Sequence, residues 1–189
     1  PLAFTPAIAE MFIPLYDAWF AMAGLSYQIV PCPLARCSSL LDNNGVVGDE
    51  VRFPEFAALH PDLVMVPPAV ARIGIYAITL APLPAESSLP ALIEQKKRFA
   101  CIRNTSWCKS HLPELQVHWL NSNDQGIPLL QRGCIDVLIL YGKSRAEPGY
   151  NPIQHSQTHA HFLETNTLHL YLHANQAPAI ASLVHVWPQ

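Results

Sequence analysis

The stretch Asn44–Pro67, NGVVGDEVRFPEFAALHPDLVMVP, constrains the fold more than any other part of the chain. It reads as a short strand around Gly45–Val51, a helix through Phe53–His60 and a second strand at Leu63–Val66. Asp49–Arg52 reads as a polar turn where the first strand ends. In open α/β sheets, ligands bind outside the carboxyl ends of strands. Arg52 has a planar fork that can hold a carboxylate in bidentate fashion, or it can pair with Asp49 or Glu50 and pin the turn.

Upstream, Pro6–Ala23 predicts a helix with Thr5 as its cap and Pro6 at the first position. Ile8, Phe12, Leu15, Trp19 and Met22 recur at helical spacing, Pro14 is expected to kink or divide the element, and Gly24 closes it. Leu25–Val30 reads as a strand and Leu34–Leu41 as a short helix, so strands and helices alternate as in a doubly wound α/β sheet. Downstream, Ala69–Ala81 is β-rich, and the proline-dotted PLPAESSLP reads as a linker. Further elements are expected at Leu89–Lys97 (helix), Arg98–Ile102 (strand), Trp107–Leu112 (helix), Val117–Leu120 (strand), Gln125–Arg132 (helix stopped by Gly133) and Ile135–Leu140 (strand). Gly142–Thr158 reads as a loop, Thr167–His173 as a strand and Pro178–Val186 as a terminal helix. Met11, Met22 and Met65, with Phe12, Tyr16 and Phe20, are assigned to the core.

Composition excludes several classes. Half of the 189 residues are hydrophobic and 13% are charged, which argues against disorder. A net charge of −3 leaves no electrostatic footprint for nucleic acid. No run reaches the ~18–20 apolar residues of a membrane span, and the first residues lack the basic and apolar regions of a signal peptide. The five cysteines, an odd number, leave at least one thiol unpaired in a monomer. Cys32 with Cys37, or Cys101 with Cys108, can bridge in an oxidising compartment. Cys134, in an apolar strand pattern, is expected to be a buried small hydrophobe. His155, His159 and His161 have ligand-like spacing, but no single element presents all three, so no metal and no cofactor is assigned. Nothing matches G-x-S-x-G, H-E-x-x-H or a phosphate loop, and Asp136 reads as structural, so the chain is not expected to be an enzyme.

A strand entering G-D-x-x-R at Gly48–Arg52, a short helix and then HPDLVMVP resembles type II periplasmic solute-binding proteins, and most of all the stand-alone relatives of the polar amino-acid ABC transporter group. PCPLARCSSLLDNNG resembles that family's segment of P-x-x-R, a short helix and a glycine. LPALIEQKKRFACIRNTSWCKSHL and LLQRGCIDVLIL resemble the units that open and close its second lobe. The resemblance implies a two-lobed periplasmic-binding-protein-like type II fold of the α/β class, with lobe two inserted into lobe one and a ligand cleft between them. Lobe one would comprise residues 1–83 and 166–189, lobe two 84–165, with the first hinge near Pro82–Pro84. The family's opening central strand has only Leu2–Phe4 to form it.

The implied function is extracytoplasmic, periplasmic capture of a small polar molecule for transport. A ligand-sensing domain of a receptor or regulator is the alternative, and a small hydrolase or dehydratase on the same scaffold a third. The implied partners are the ligand and a membrane permease or receptor, with no nucleic acid and no insertion into the membrane. The implied ligand residues are Arg52 and Asp49 in lobe one, and Arg103, Asn104, Thr105, Trp107 and Tyr141 in lobe two. Tyr141 stands where amino-acid binders keep an aspartate, so two arginines and a tyrosine favour an acidic or hydroxylated ligand. The oxidising compartment that the resemblance implies favours a Cys101–Cys108 bridge.

Overall fold

The computed structural model describes residues 1–143 and 157–187, except for the side chains of residues 6–10. His155 and most of the loop expected at Gly142–Thr158 lie outside the described residues. The chain divides into two compact units, Pro1–Ala71 with Thr167–Gln189, and Arg72–Asn166. The Pro82–Pro84 segment lies inside the second unit. The chain passes between units within two long strands, β4 (Leu63–Thr79) and β8 (His159–His173). The two strands read at Leu63–Val66 and Ala69–Ala81 are one element, continuous through Pro67 and Pro68.

In the first unit the hydrogen-bonded order is β2 (Ile29–Pro31), β1 (Leu2–Phe4), β3 (Gly48–Arg52), β8. β1 has three residues, all buried, and pairs in parallel with both β2 and β3, so a short strand fills the central place. β3 runs antiparallel to β8, with Gly48 opposite Leu172 and Asp49 opposite Tyr171. A Cβ at Gly48 would run into the Tyr171 carbonyl and the Leu172 side chain, so only glycine fits this crossing.

Helix α1 (Pro6–Met22) runs unbroken through Pro14, which neither divides nor ends it. Its buried face is Phe12, Tyr16, Trp19 and Phe20, spaced four, three and one apart. Met11 and Met22 are exposed, and so is Met65 on β4, contrary to the core assignment. The aromatic stripe outcompetes the methionines because it buries more area and its rings pack edge-on or stacked. Trp19 also donates from Nε1 to the Leu183 carbonyl at 2.8 Å, which ties α7 (Ala177–His185) to α1. α2 (Leu34–Asp42) and α3 (Phe56–Leu59) supply Cys37, Leu41 and Phe56 to a core shared with Ala3, Leu63 and Tyr171.

In the second unit the order is β4, β7 (Val137–Gly142), β5 (Phe99–Ile102), β6 (Val117–Leu120). β4 and β7 are antiparallel, whereas β7–β5 and β5–β6 are parallel. The helices are α4 (Leu89–Glu94), α5 (Ser106–His111) and α6 (Gly126–Gln131); α4 and α6 are shorter than the pattern suggested, and α5 has the expected length but starts one residue earlier. Gly133, at φ +66°, ends the α6 turn as expected. Asp136 precedes β7 and holds Arg98 through two contacts of 2.8 and 3.0 Å, a structural pairing near the unit's surface.

Two disulfides are present, Cys32–Cys37 and Cys101–Cys108, with Cα–Cα distances of 5.4 and 6.6 Å. Cys134 is free and exposed rather than buried, because it sits in the turn before β7 and not in the strand. Denatured, unreduced protein should therefore bind one equivalent of a thiol reagent per chain, and Cys134→Ser none. Three reactive thiols would contradict one of the bridges, and five would contradict both.

Candidate functional site

β3 carries three charged residues within four positions, and all three are buried. Asp49, Glu50 and Arg52 are 1%, 0% and 4% exposed. The polar turn expected here is a strand instead: the ladder shifts register between Asp49 and Arg52, which lets side chains three residues apart meet. Arg52 Nη2 donates to Asp49 Oδ2 at 2.5 Å. The guanidinium also lies 4.7 Å from the centre of the Phe56 ring. The arginine is thus already matched to a carboxylate. Burial pushes Asp49's pKa above its ordinary value, while Arg52 pulls it back.

Glu50 does different work. Its Oε1 accepts the Thr5 N–H at 2.7 Å, and the Tyr16 hydroxyl donates to its main-chain carbonyl. The Thr5 side chain makes no cap bond, and Glu50 instead satisfies the main-chain N–H of Thr5, the residue just before α1. Burial, and then the neighbouring Asp49 charge, push the Glu50 pKa up to about 9. His169, opposite Arg52 on β8, is buried, and desolvation holds its pKa below the ordinary value. Asp49 Oδ1, Glu50 Oε2, Arg52 Nε and His169 Nδ1 are buried with no partner among the described residues. Sequence reasoning placed Glu50 beside Arg52 as a possible pairing partner, and missed His169 as a member of this cluster.

In the second unit, Arg103 and Asn104 follow β5 and line a hollow of about 400 Å3 with Lys109, Leu112, Glu114 and Trp119. Asn104 takes φ +66°, which turns the chain sharply into α5. Arg103 is exposed, and its main chain is tied to Leu120 by a 2.8 Å bond. The other three expected residues of this unit do not line that hollow. Thr105 is buried as the cap residue of α5. Trp107 is wholly buried, donates to Glu164 Oε1 at 2.5 Å and stacks on His111 with ring centres 4.7 Å apart. Its rings are core, so it offers no stacking surface. The Tyr141 hydroxyl lies 3.4 and 3.2 Å from the sulfurs of the Cys101–Cys108 bridge. Lys109, Glu114 and Trp119 were not anticipated; Trp119's place in the alternating VHWL strand was the available clue.

His159 and His161 lie on β8, where His161 Nε2 sits 2.8 Å from the Ser87 carbonyl. Among the described residues no three His, Cys, Asp or Glu side chains are grouped to hold a metal ion. No helix among them is long and apolar enough to cross a membrane.

No family model matches the sequence, and no curated protein matches it significantly. Solved structures do. An arginine-bound Gly52Ala mutant of ArgBP from T. maritima is 12% identical, with a TM-score of 0.68 over 98% of this chain and 92% of that one. The L-arginine-bound amino acid ABC transporter substrate-binding protein AbpA from Streptococcus pneumoniae is also 12% identical, with a TM-score of 0.68 over 97% and 85%. The periplasmic VFT2 domain of Bordetella pertussis BvgS, as a double mutant, is 13% identical with a TM-score of 0.66 over 97% and 84%. The chain therefore has the two-lobed α/β fold of type II periplasmic binding proteins.

Proposed function

We propose that this chain is an extracytoplasmic ligand-binding domain that captures a small, polar, acidic molecule. The observation that carries the reading is the fold itself, matched over nearly the whole chain to domains described as binding proteins. Two disulfides support an oxidising compartment such as the periplasm. The anion falls to Arg103. With Lys109 it gives the second unit's hollow two cations against the one carboxylate of Glu114, and the Asn104 amide and Trp119 ring add hydrogen-bonding and stacking surface. Arg52, bound to Asp49, acts as a clamp within β3.

The role is either delivery to a membrane permease or sensing for a receptor. The second reading draws on the BvgS domain and on the ligand-binding core of GluR0 in complex with L-glutamate, 14% identical with a TM-score of 0.66 over 97% of this chain and 90% of that one.

Native mass spectrometry of protein purified without denaturation should reveal a co-purified acid, which is then titrated into wild type and Arg103→Ala. The loss should be roughly tenfold to a hundredfold, as for a hydrogen bond to a charged group. The unliganded variant should melt as wild type does, because the Arg103 side chain is exposed. Unchanged affinity in Arg103→Ala would remove this residue from the site.

A further inference from the structure

We propose that the outer face of α1 is an interface between two copies of this chain, the two helices packing antiparallel across a twofold axis. α1 buries its aromatic stripe, yet its opposite side is apolar as well. Met11, Leu15, Ala18 and Met22 stand four, three and four residues apart, the spacing of a coiled-coil seam. Met11 and Met22 are 73% and 53% exposed. Ala18 is exposed and Leu15 half-buried, with exposed Pro14 and Ala21 beside them. Single apolar side chains are normal on a surface, but a helix that is apolar on both sides needs a cover. α7 borders this seam: Trp19, which holds it through Leu183 and Trp187, lies four residues from Leu15 and three from Met22. α7 contains no Asp, Glu, Lys or Arg, and its Ala181 and Val184 are exposed.

The pattern and the charge identify the occupant. The seam's spacing reads the same in both directions. An antiparallel pair therefore sets Met11 of one copy against Met22 of the other, and Leu15 against Ala18. Flexible methionines meet at the ends and leucine meets alanine near the axis, the self-complementarity that a twofold interface requires. The seam carries no charge, and Asp17 at its border is held by the Tyr27 hydroxyl at 2.8 Å. An anionic membrane surface suits this face poorly. The first unit has no lysine, and its arginines are the buried Arg52 and Arg36. A seam ~25 Å long and ~10 Å wide, with the shorter α7 beside it, covers roughly 400 Å2 per copy. About 800 Å2 over both copies lies at the weak end of specific interfaces, so the dimer is a reversible one. This surface is independent of the role given to Arg103.

Sedimentation velocity of the full chain tests it. Between roughly 5 and 500 µM the average mass should rise from one chain towards two. The rise should be steeper at ~0.5 M NaCl than at ~0.05 M, because salt screens the net charge of −3 on each copy. Ala18→Glu should weaken association at least tenfold, since each copy then buries an unpaired carboxylate near the axis. Dilute Ala18→Glu should melt with wild type, because Ala18 is exposed. Met11→Glu and Met22→Lys should each weaken association alone, and an equal mixture of the two should recover it as a heterodimer, because the antiparallel register pairs the new charges. Constant monomer mass, dimers unaffected by Ala18→Glu, association that weakens with salt, or a mixture no better than either variant would each overturn the proposal. A chain that stays monomeric and floats with anionic vesicles would overturn it too, and would give this face to the membrane.

Discussion

Arg52→Ala should cost about 3–5 kcal/mol and lower the melting temperature by roughly 6–20 °C, because it leaves a buried charge without its partner. Asp49 is 1% exposed, and its Oδ2 has the Arg52 guanidinium at 2.5 Å. Its other oxygen already lacks a partner among the described residues, so nothing there takes over when the arginine goes. The stacking of the guanidinium on Phe56 is lost as well. Arg52→Lys should recover part of the loss, since an ammonium keeps the charge but not the planar face. The double variant Asp49→Ala/Arg52→Ala should melt above Arg52→Ala, because removing both charges is cheaper than stranding one. Chemical denaturation of the four proteins measures this directly. An Arg52→Ala protein that melts like wild type but loses its ligand would reverse the assignment and make this arginine a ligand anchor.

Glu50→Gln should flatten the decline of stability with pH. The folded Glu50 has its pKa pushed up to about 9, whereas the ordinary value is 4.5. A carboxyl raised in the folded state binds more protons folded than unfolded between those values. Its contribution is therefore complete below about pH 4.5 and is lost as pH climbs towards 9. The limiting slope is ~1.4 kcal/mol per pH unit, so wild type should lose up to about 4 kcal/mol between pH 5 and pH 8. Glutamine mimics the protonated acid and still accepts the Thr5 N–H, so the variant should match wild type near pH 5 and exceed it near pH 8. A residual decline from Asp49, also raised by burial, remains in both. Asp136 acts with the opposite sign: Arg98 holds its pKa down to about 2, so its contribution is present at neutral pH and fades only as pH falls below about 4. Parallel profiles for wild type and Glu50→Gln would show that Glu50 is ionised in the folded state at neutral pH.

The order of strands and helices was legible because each element announces itself locally, through an apolar period, a proline at a helix start or a glycine at its end. The failures share a cause, which is that tertiary burial overrode local composition. Asp49, Glu50 and Arg52 look like a turn to any reading of polarity, yet β1 and β8 flank them on both sides and a register shift pairs two of the three. Pro67 and Pro68 look like a strand end, yet β4 runs through them. Met22 satisfies the helical apolar pattern and Met11 was assigned to the core with it, but the buried stripe of α1 belongs to its aromatic residues. In the second unit the polar run after β5 was located from sequence. Which of its side chains face open space was not, because Trp107 finds its partner in Glu164, 57 residues away.

The most direct test of the ligand-binding account is a thermal-shift panel of small acids, amino acids and dicarboxylates on wild type and Arg103→Ala. A ligand at a hundred times its Kd stabilises by about 2.7 kcal/mol, a rise of several degrees for a chain of this length. The account predicts that at least one acidic compound raises the wild-type melting temperature by that amount, and that Arg103→Ala responds far less. No response to any acid, together with a native mass equal to that of the bare chain, would contradict it.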